Sequence, residues 1–110
     1  MKRTDRDRLN DVADAIAAIR AHAKRRTDER LRRDAMLYNL MILGEAVKGL
    51  SDETKARRPE VPWREIAGLR DLLAHEYYRI ELSVIEDIVE RDLTPLAAAI
   101  AALRRGATRS

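Results

Sequence analysis

A chain of 110 residues with a net charge of +3 has room for one domain and one modest core. The absence of cysteine excludes disulfides, zinc-thiolate sites and thiol nucleophiles, and fits a reducing cytoplasm. Phe is also absent and aromatics make up only 4% of residues, so the Ala-, Leu-, Ile- and Arg-rich composition favours a helical bundle over a sheet core.

Charge is unevenly spread. Residues 20–33 carry seven Lys/Arg against Asp28 and Glu29, a local +5, and residues 81–92 carry five acids against Arg91, a local −4. A molecule polarised in this way offers one end to an anion and the other to a basic partner, although two solvated helix faces give the same pattern. The N-terminus, Met1 to Arg8, is charged and does not read as a signal peptide. The longest apolar run, Leu96 to Leu103, is eight residues, too short to cross a bilayer.

The first helix is predicted from about Asp5 to Arg25, with Leu9, Val12, Ile16, Ile19 and Ala23 forming one narrow apolar stripe. Thr27 or Asp28 caps a second helix running to about Leu50. It carries two stripes, Leu31-Ala35-Tyr38-Ile42 and Leu40-Leu43-Val47-Leu50, with Tyr38 expected in the core. So apolar a helix needs cover on more than one side, either as the centre of a monomeric bundle or against a symmetric second copy. The preferred reading is the homodimer.

Residues 51–62 form the longest break and hold the basic cluster Lys55, Arg57 and Arg58. Pro62 suits the first turn of a third helix starting near Trp63 and buried through Ile66, Leu69 and Leu73. Ser83 to Glu86 matches a capping box that opens the next helix, packed by Val84, Ile85, Ile88 and Val89. Thr94-Pro95 opens a last helix ending before Gly106, or marks a kinked continuation. The expected organisation is one all-α domain of four to five helices over residues 1–106, with a frayed tail at 107–110.

Chemistry concentrates in Gly68 to Tyr78, which holds one of two histidines and two of three tyrosines. A cation (Arg70), a group that titrates near neutrality (His75) and a phenol (Tyr77) are what phosphodiester chemistry asks for. On a continuous helix Arg70 and Tyr77 lie within about 20° of one face, whereas His75 sits about 140° from Arg70. The reach of the arginine, a helix end near His75, or a second motif across a dimer would bring them together. Ordinary structural roles also account for these residue types: a solvated arginine, a histidine capping a helix, a packed tyrosine pair. His22 reads as surface.

Other chemistries are poorly supported. Two distant histidines give no histidine-based metal site, and no carboxylate spacing points to an oxygen-ligand site. Four scattered glycines form no phosphate-cradling loop, and Ser51, Ser83 and Ser110 sit in cap or tail positions. No cofactor or metal is expected.

The stretch Gly68-Leu69-Arg70-Asp71-Leu72-Leu73-Ala74-His75-Glu76-Tyr77 resembles the signature of the HEPN superfamily, and its His-x-Tyr extension is similar to the HepT branch. Arg33-Asp34-Ala35 through Asn39-Leu40, Leu43 to Lys48, Val61 to Ile66 and Ile88 to Leu93 resemble that family's other segments, so the likeness covers nearly the whole chain. The resemblance implies a HEPN-like helical bundle acting as a homodimer with the motif near the interface. It implies the toxin of a type VII toxin–antitoxin pair, a metal-independent endoribonuclease with Arg70 and His75 as catalytic residues.

The same resemblance implies that Tyr77 falls on the family's tyrosine to which a MntA-like nucleotidyltransferase antitoxin attaches AMP, with Tyr78 a neighbouring phenol. Asp71 stands where the family often has Asn, and its carboxylate either orients Arg70 or His75 or repels phosphate. The basic segments, including Arg25, Arg26, Arg57 and Arg58, are candidates for tracking RNA phosphates. The acidic segment 81–92 is a candidate surface for docking the antitoxin, within a possible larger hetero-oligomer. The alternative is a non-catalytic HEPN module that binds RNA or a nucleotide, or a docking subunit for a nucleotidyltransferase. A silent helical dimer is the blandest reading.

Overall fold

The computed structural model describes residues 3–24 and 28–109, with the backbone alone for residues 3 and 107–109. Among the described residues five helices follow in order: α1 (Arg3–Lys24), α2 (Glu29–Lys48), α3 (Asp52–Ala56), α4 (Trp63–His75) and α5 (Leu82–Arg109). No strand occurs among the described residues, so the all-α expectation holds. The bundle measures 44 × 25 × 21 Å, and α5, about 42 Å long at 1.5 Å per residue, sets its long dimension.

Helix α2 is the central element and packs against α1, α4 and α5. Its Leu40, Leu43, Val47 and Leu50 are buried as their spacing predicts, together with Met36 and Leu37. Leu9, Val12, Ile16 and Ile19 of α1 close over one side. The other stripe of α2 is not covered: Leu31 and Tyr38 are exposed, and Ile42 is only partly buried. Tyr38 is therefore not a core residue of the single chain.

Local signals place most boundaries. Asp28 caps α2 by accepting the Arg30 amide at 2.8 Å. Within the 51–62 break, Ser51 caps the short helix α3 by accepting the Thr54 amide. The buried Asp5 carboxylate accepts from the Ser51 amide at 2.9 Å and from the Ser51 and Thr54 hydroxyls, tying the start of α1 to α3. These bonds offset the cost of burying a carboxylate. The Trp63 indole donates to the carbonyls of Lys55 and Arg58, fastening the basic loop to the start of α4.

The end of the chain departs from expectation. Helix α5 begins at Leu82, not at a Ser83 box, because the Glu81 carbonyl already accepts the Ile85 amide at 3.3 Å. Val84 faces solvent while Ile85 and Ile88 are buried. Pro95 lies inside α5, so of the two readings the helix continues through it and no new helix starts. It sits on the exposed side, where the carbonyl it leaves unpaired can meet water, while Ile88, Leu93, Leu96 and Ile100 pack on either side of it. Nor does Gly106 end the helix. No glycine adopts a positive φ among the described residues, so the left-handed turn that closes a helix is not used there.

Candidate functional site

Helix α4 carries the motif. It crosses α2 where Gly44 is buried: a Cβ at Gly44 would lie 2.9 Å from the Arg70 amide nitrogen and 3.2 Å from the Ile66 carbonyl oxygen. This contact fixes the backbone of Arg70 against the central helix. The side chain is braced as well. Arg70 Nε lies 3.5 Å from Oε2 of Glu45, and its Nη1 donates to Asp71 Oδ1 at 3.1 Å. The Arg70 side chain is about half exposed.

His75 is the last residue of α4 and is exposed. Its ring makes no hydrogen bond or ion pair with any described residue. Arg70 and His75 thus share one helix with the roughly 140° separation expected of their spacing, and one chain does not converge them by helix geometry.

The turn after His75 is held by Arg33 of α2. Its Nε donates to the Ile80 carbonyl at 2.8 Å, one terminal nitrogen donates to the Tyr77 carbonyl, and the other pairs with Asp34 at 2.8 Å. The guanidinium carbon also lies 5.6 Å from the centre of the Tyr77 ring, a cation–π distance. The Tyr77 ring is partly buried against the core and meets Tyr78 edge-on at 5.2 Å. Tyr78 is 95% exposed.

Other candidates lie apart. Arg57 and Arg58 precede α4, and His75 stands 12 residues beyond Trp63, about 18 Å along the helix. Arg58 pairs with Glu60 at 3.7 Å. Arg25 and Arg26 lie outside the described residues. Among the described residues no group of three or more acidic or histidine side chains could hold a metal, and no helix is long and apolar enough to cross a membrane.

Residue-type reasoning did not single out Arg33, Gly44 or Glu45. Arg33 was one of seven basic residues in its segment, and the signal that marks all three is their place in the helix resembling the family's second.

A family model described as "Ribonuclease HepT-like" matches residues 9–103. The chain belongs to this family. A relative from Thermococcus cleftensis named "Probable ribonuclease HepT" is 34% identical over 96% of this chain and all of its own length. One from Methanocaldococcus jannaschii named "Gamma-glutamylcyclotransferase and putative RNase MJ0434" is 29% identical over 80% of this chain, which spans 42% of it. A third, "Putative RNase TTE0752" from Caldanaerobacter subterraneus subsp. tengcongensis, is 40% identical over 56% of this chain and 55% of its own. No solved structure matches the chain significantly. The matched segment includes the Arg70–His75 stretch and the turn that Arg33 holds.

Proposed function

We propose that the protein is an endoribonuclease of HepT type, the toxin of a type VII toxin–antitoxin pair, that cuts RNA without a metal. One observation carries the reading. An arginine braced by Gly44 and Glu45 is followed five residues later by an exposed histidine whose ring bonds to no described residue. The ribose 2′-hydroxyl attacks the adjacent phosphorus, and the bond to the 5′ oxygen of the next nucleotide breaks. His75 takes the hydroxyl proton or gives one to the departing oxygen. Arg70 neutralises charge on the non-bridging oxygens.

The dimer belongs to the same proposal. Leu31, Tyr38 and Ile42 lie along one face of α2, and Glu45, which holds Arg70, lies within about 60° of that line. A second copy covering this stripe sits beside Arg70 and adds its own motif, which answers the separation of Arg70 and His75 on one helix. A MntA-like nucleotidyltransferase antitoxin silences the toxin by attaching AMP to Tyr77. The modification adds bulk and a phosphodiester charge two residues from His75.

A second reading rests on the two carboxylates beside Arg70. Glu45 and Asp71 offset its charge and so weaken its hold on charge developing at a phosphate, which favours a module that binds RNA or a nucleotide through its other basic residues without cutting. Purified protein, shown by mass spectrometry to carry no AMP, is incubated with mixed RNA in excess EDTA beside His75→Ala. Cutting that disappears in the variant is expected. No cutting by a folded, unmodified dimer overturns the nuclease reading in favour of the second.

A further inference from the structure

A cleft of about 640 Å³ opens between the start of α2, the turn after the motif and the first turn of α5. That is within the ordinary size of a small-ligand site. Its walls include Arg30, Arg33, Tyr78, Arg79, Glu81 and Glu86. The Arg33 fork fixes the backbone on which Tyr78 and Arg79 stand, so this wall is built into the fold.

The side chains around the cleft carry both charges, and most are unspent. Arg33 is engaged with carbonyls and Asp34, but Arg30, Arg79, Glu81 and Glu86 form no ion pair with any described residue. Opposite charges that share a cavity without pairing suit a ligand that brings an anion and hydrogen-bond donors together. Tyr78 adds an exposed aromatic face, since Tyr77 meets it edge-on and leaves the ring open. Leu82 and Ser83 also line the cleft, and their amides, in the first turn of α5, have no partner within their helix.

We propose that this cleft is a base-reading subsite for one RNA nucleotide beside the motif. The base stacks on Tyr78. Its phosphate meets Arg30, Arg79 and the start of α5. Glu81 and Glu86 accept hydrogen bonds from an exocyclic amino group, as carboxylates do from cytosine. Adenine, cytosine and guanine carry such a group, whereas uracil offers only its ring N3–H, so the subsite disfavours uridine. The inference deepens the ribonuclease reading, and the turn that follows His75 and carries Tyr77 is then also the wall that seats the substrate.

The test measures binding, so it stands apart from cleavage. Fluorescence anisotropy follows labelled oligo-A, oligo-C and oligo-U binding to the His75→Ala protein. A and C are expected to bind at least about fivefold tighter than U. Tyr78→Ala weakens A and C by about fivefold or more, and Tyr78→Phe restores them. Joint replacement of Glu81 and Glu86 by Gln narrows the gap, because a Gln amide also donates to the uracil carbonyl. Equal binding of all three oligomers, no binding by the folded protein, or indifference to Tyr78→Ala overturns the subsite. Cleavage by the native protein with such indifference leaves the nuclease reading standing. Base-selective binding without cleavage by the native protein keeps the subsite and removes the nuclease.

Discussion

The backbone amide of Arg70 lies 2.9 Å from where a Cβ on Gly44 would stand, and the neighbouring atoms are α4 backbone and the root of the Arg70 side chain. None of these can swing away. Gly44→Ala therefore pushes α4 off α2, at a cost of about 1–3 kcal/mol in stability. Gly68 is the internal control. Nothing lies within 4 Å of a Cβ there, so Gly68→Ala gains about 0.5–1 kcal/mol of helix preference. Thermal melts are expected to shift in opposite directions. RNA cleavage by Gly44→Ala should fall further than its unfolded fraction accounts for, because the displaced residue is Arg70.

Arg33 tests whether the turn must be rigid. Its fork takes the carbonyls of Tyr77 and Ile80 together. A lysine keeps the charge but presents one point rather than a planar fork. Arg33→Lys and Arg33→Met are both expected to lower kcat about tenfold or more, while circular dichroism stays helical. If Arg33→Lys cleaves like the native protein, charge alone serves there and the fork is dispensable.

Much of the fold was legible because its signals are local. The 3,4,3 spacing in α1, the Asp28 cap and the start of α4 at Trp63 all depend on neighbours within one or two turns, whereas the five-residue helix α3 lies in a segment read only as a break. Misreadings arose where tertiary packing outweighs a local signal. Pro95 resembles a helix start, yet buried residues on both sides carry α5 through it. Tyr38 lies in an apolar stripe, yet in the single chain it is 63% exposed. The candidate site divides the same way. Arg70, His75 and Tyr77 stand together in one stretch, whereas Arg33, Gly44 and Glu45 reach it from α2, across contacts that no spacing rule encodes.

The uncovered stripe on α2 gives the test of assembly. Leu31 and Tyr38 are both more than 60% exposed. Leu31→Glu with Tyr38→Glu places charge on that face without touching the core of the single chain. Light scattering is expected to show the native protein as a dimer and the double variant as a folded monomer. RNA cleavage should fall with the dimer. A native protein that remains monomeric at high concentration ends the dimer proposal, and cleavage by such a monomer would also show that one motif suffices.

Asp71 sets how strongly Arg70 attracts phosphate. The carboxylate lies 3.1 Å from the guanidinium and is itself exposed, so the pair adds little to stability. It nonetheless competes with an incoming phosphate for the same donors. Asp71→Asn removes one negative charge and leaves an amide of the same shape. The expected result is a severalfold lower KM for RNA, a steeper loss of binding with added salt, and an unchanged melting temperature. Glu45→Gln should behave differently, because Glu45 reaches Arg70 from another helix and its loss frees the guanidinium to wander, so kcat falls while KM changes little. If Asp71→Asn instead lowers kcat as Glu45→Gln does, Asp71 positions the arginine and does not merely offset its charge.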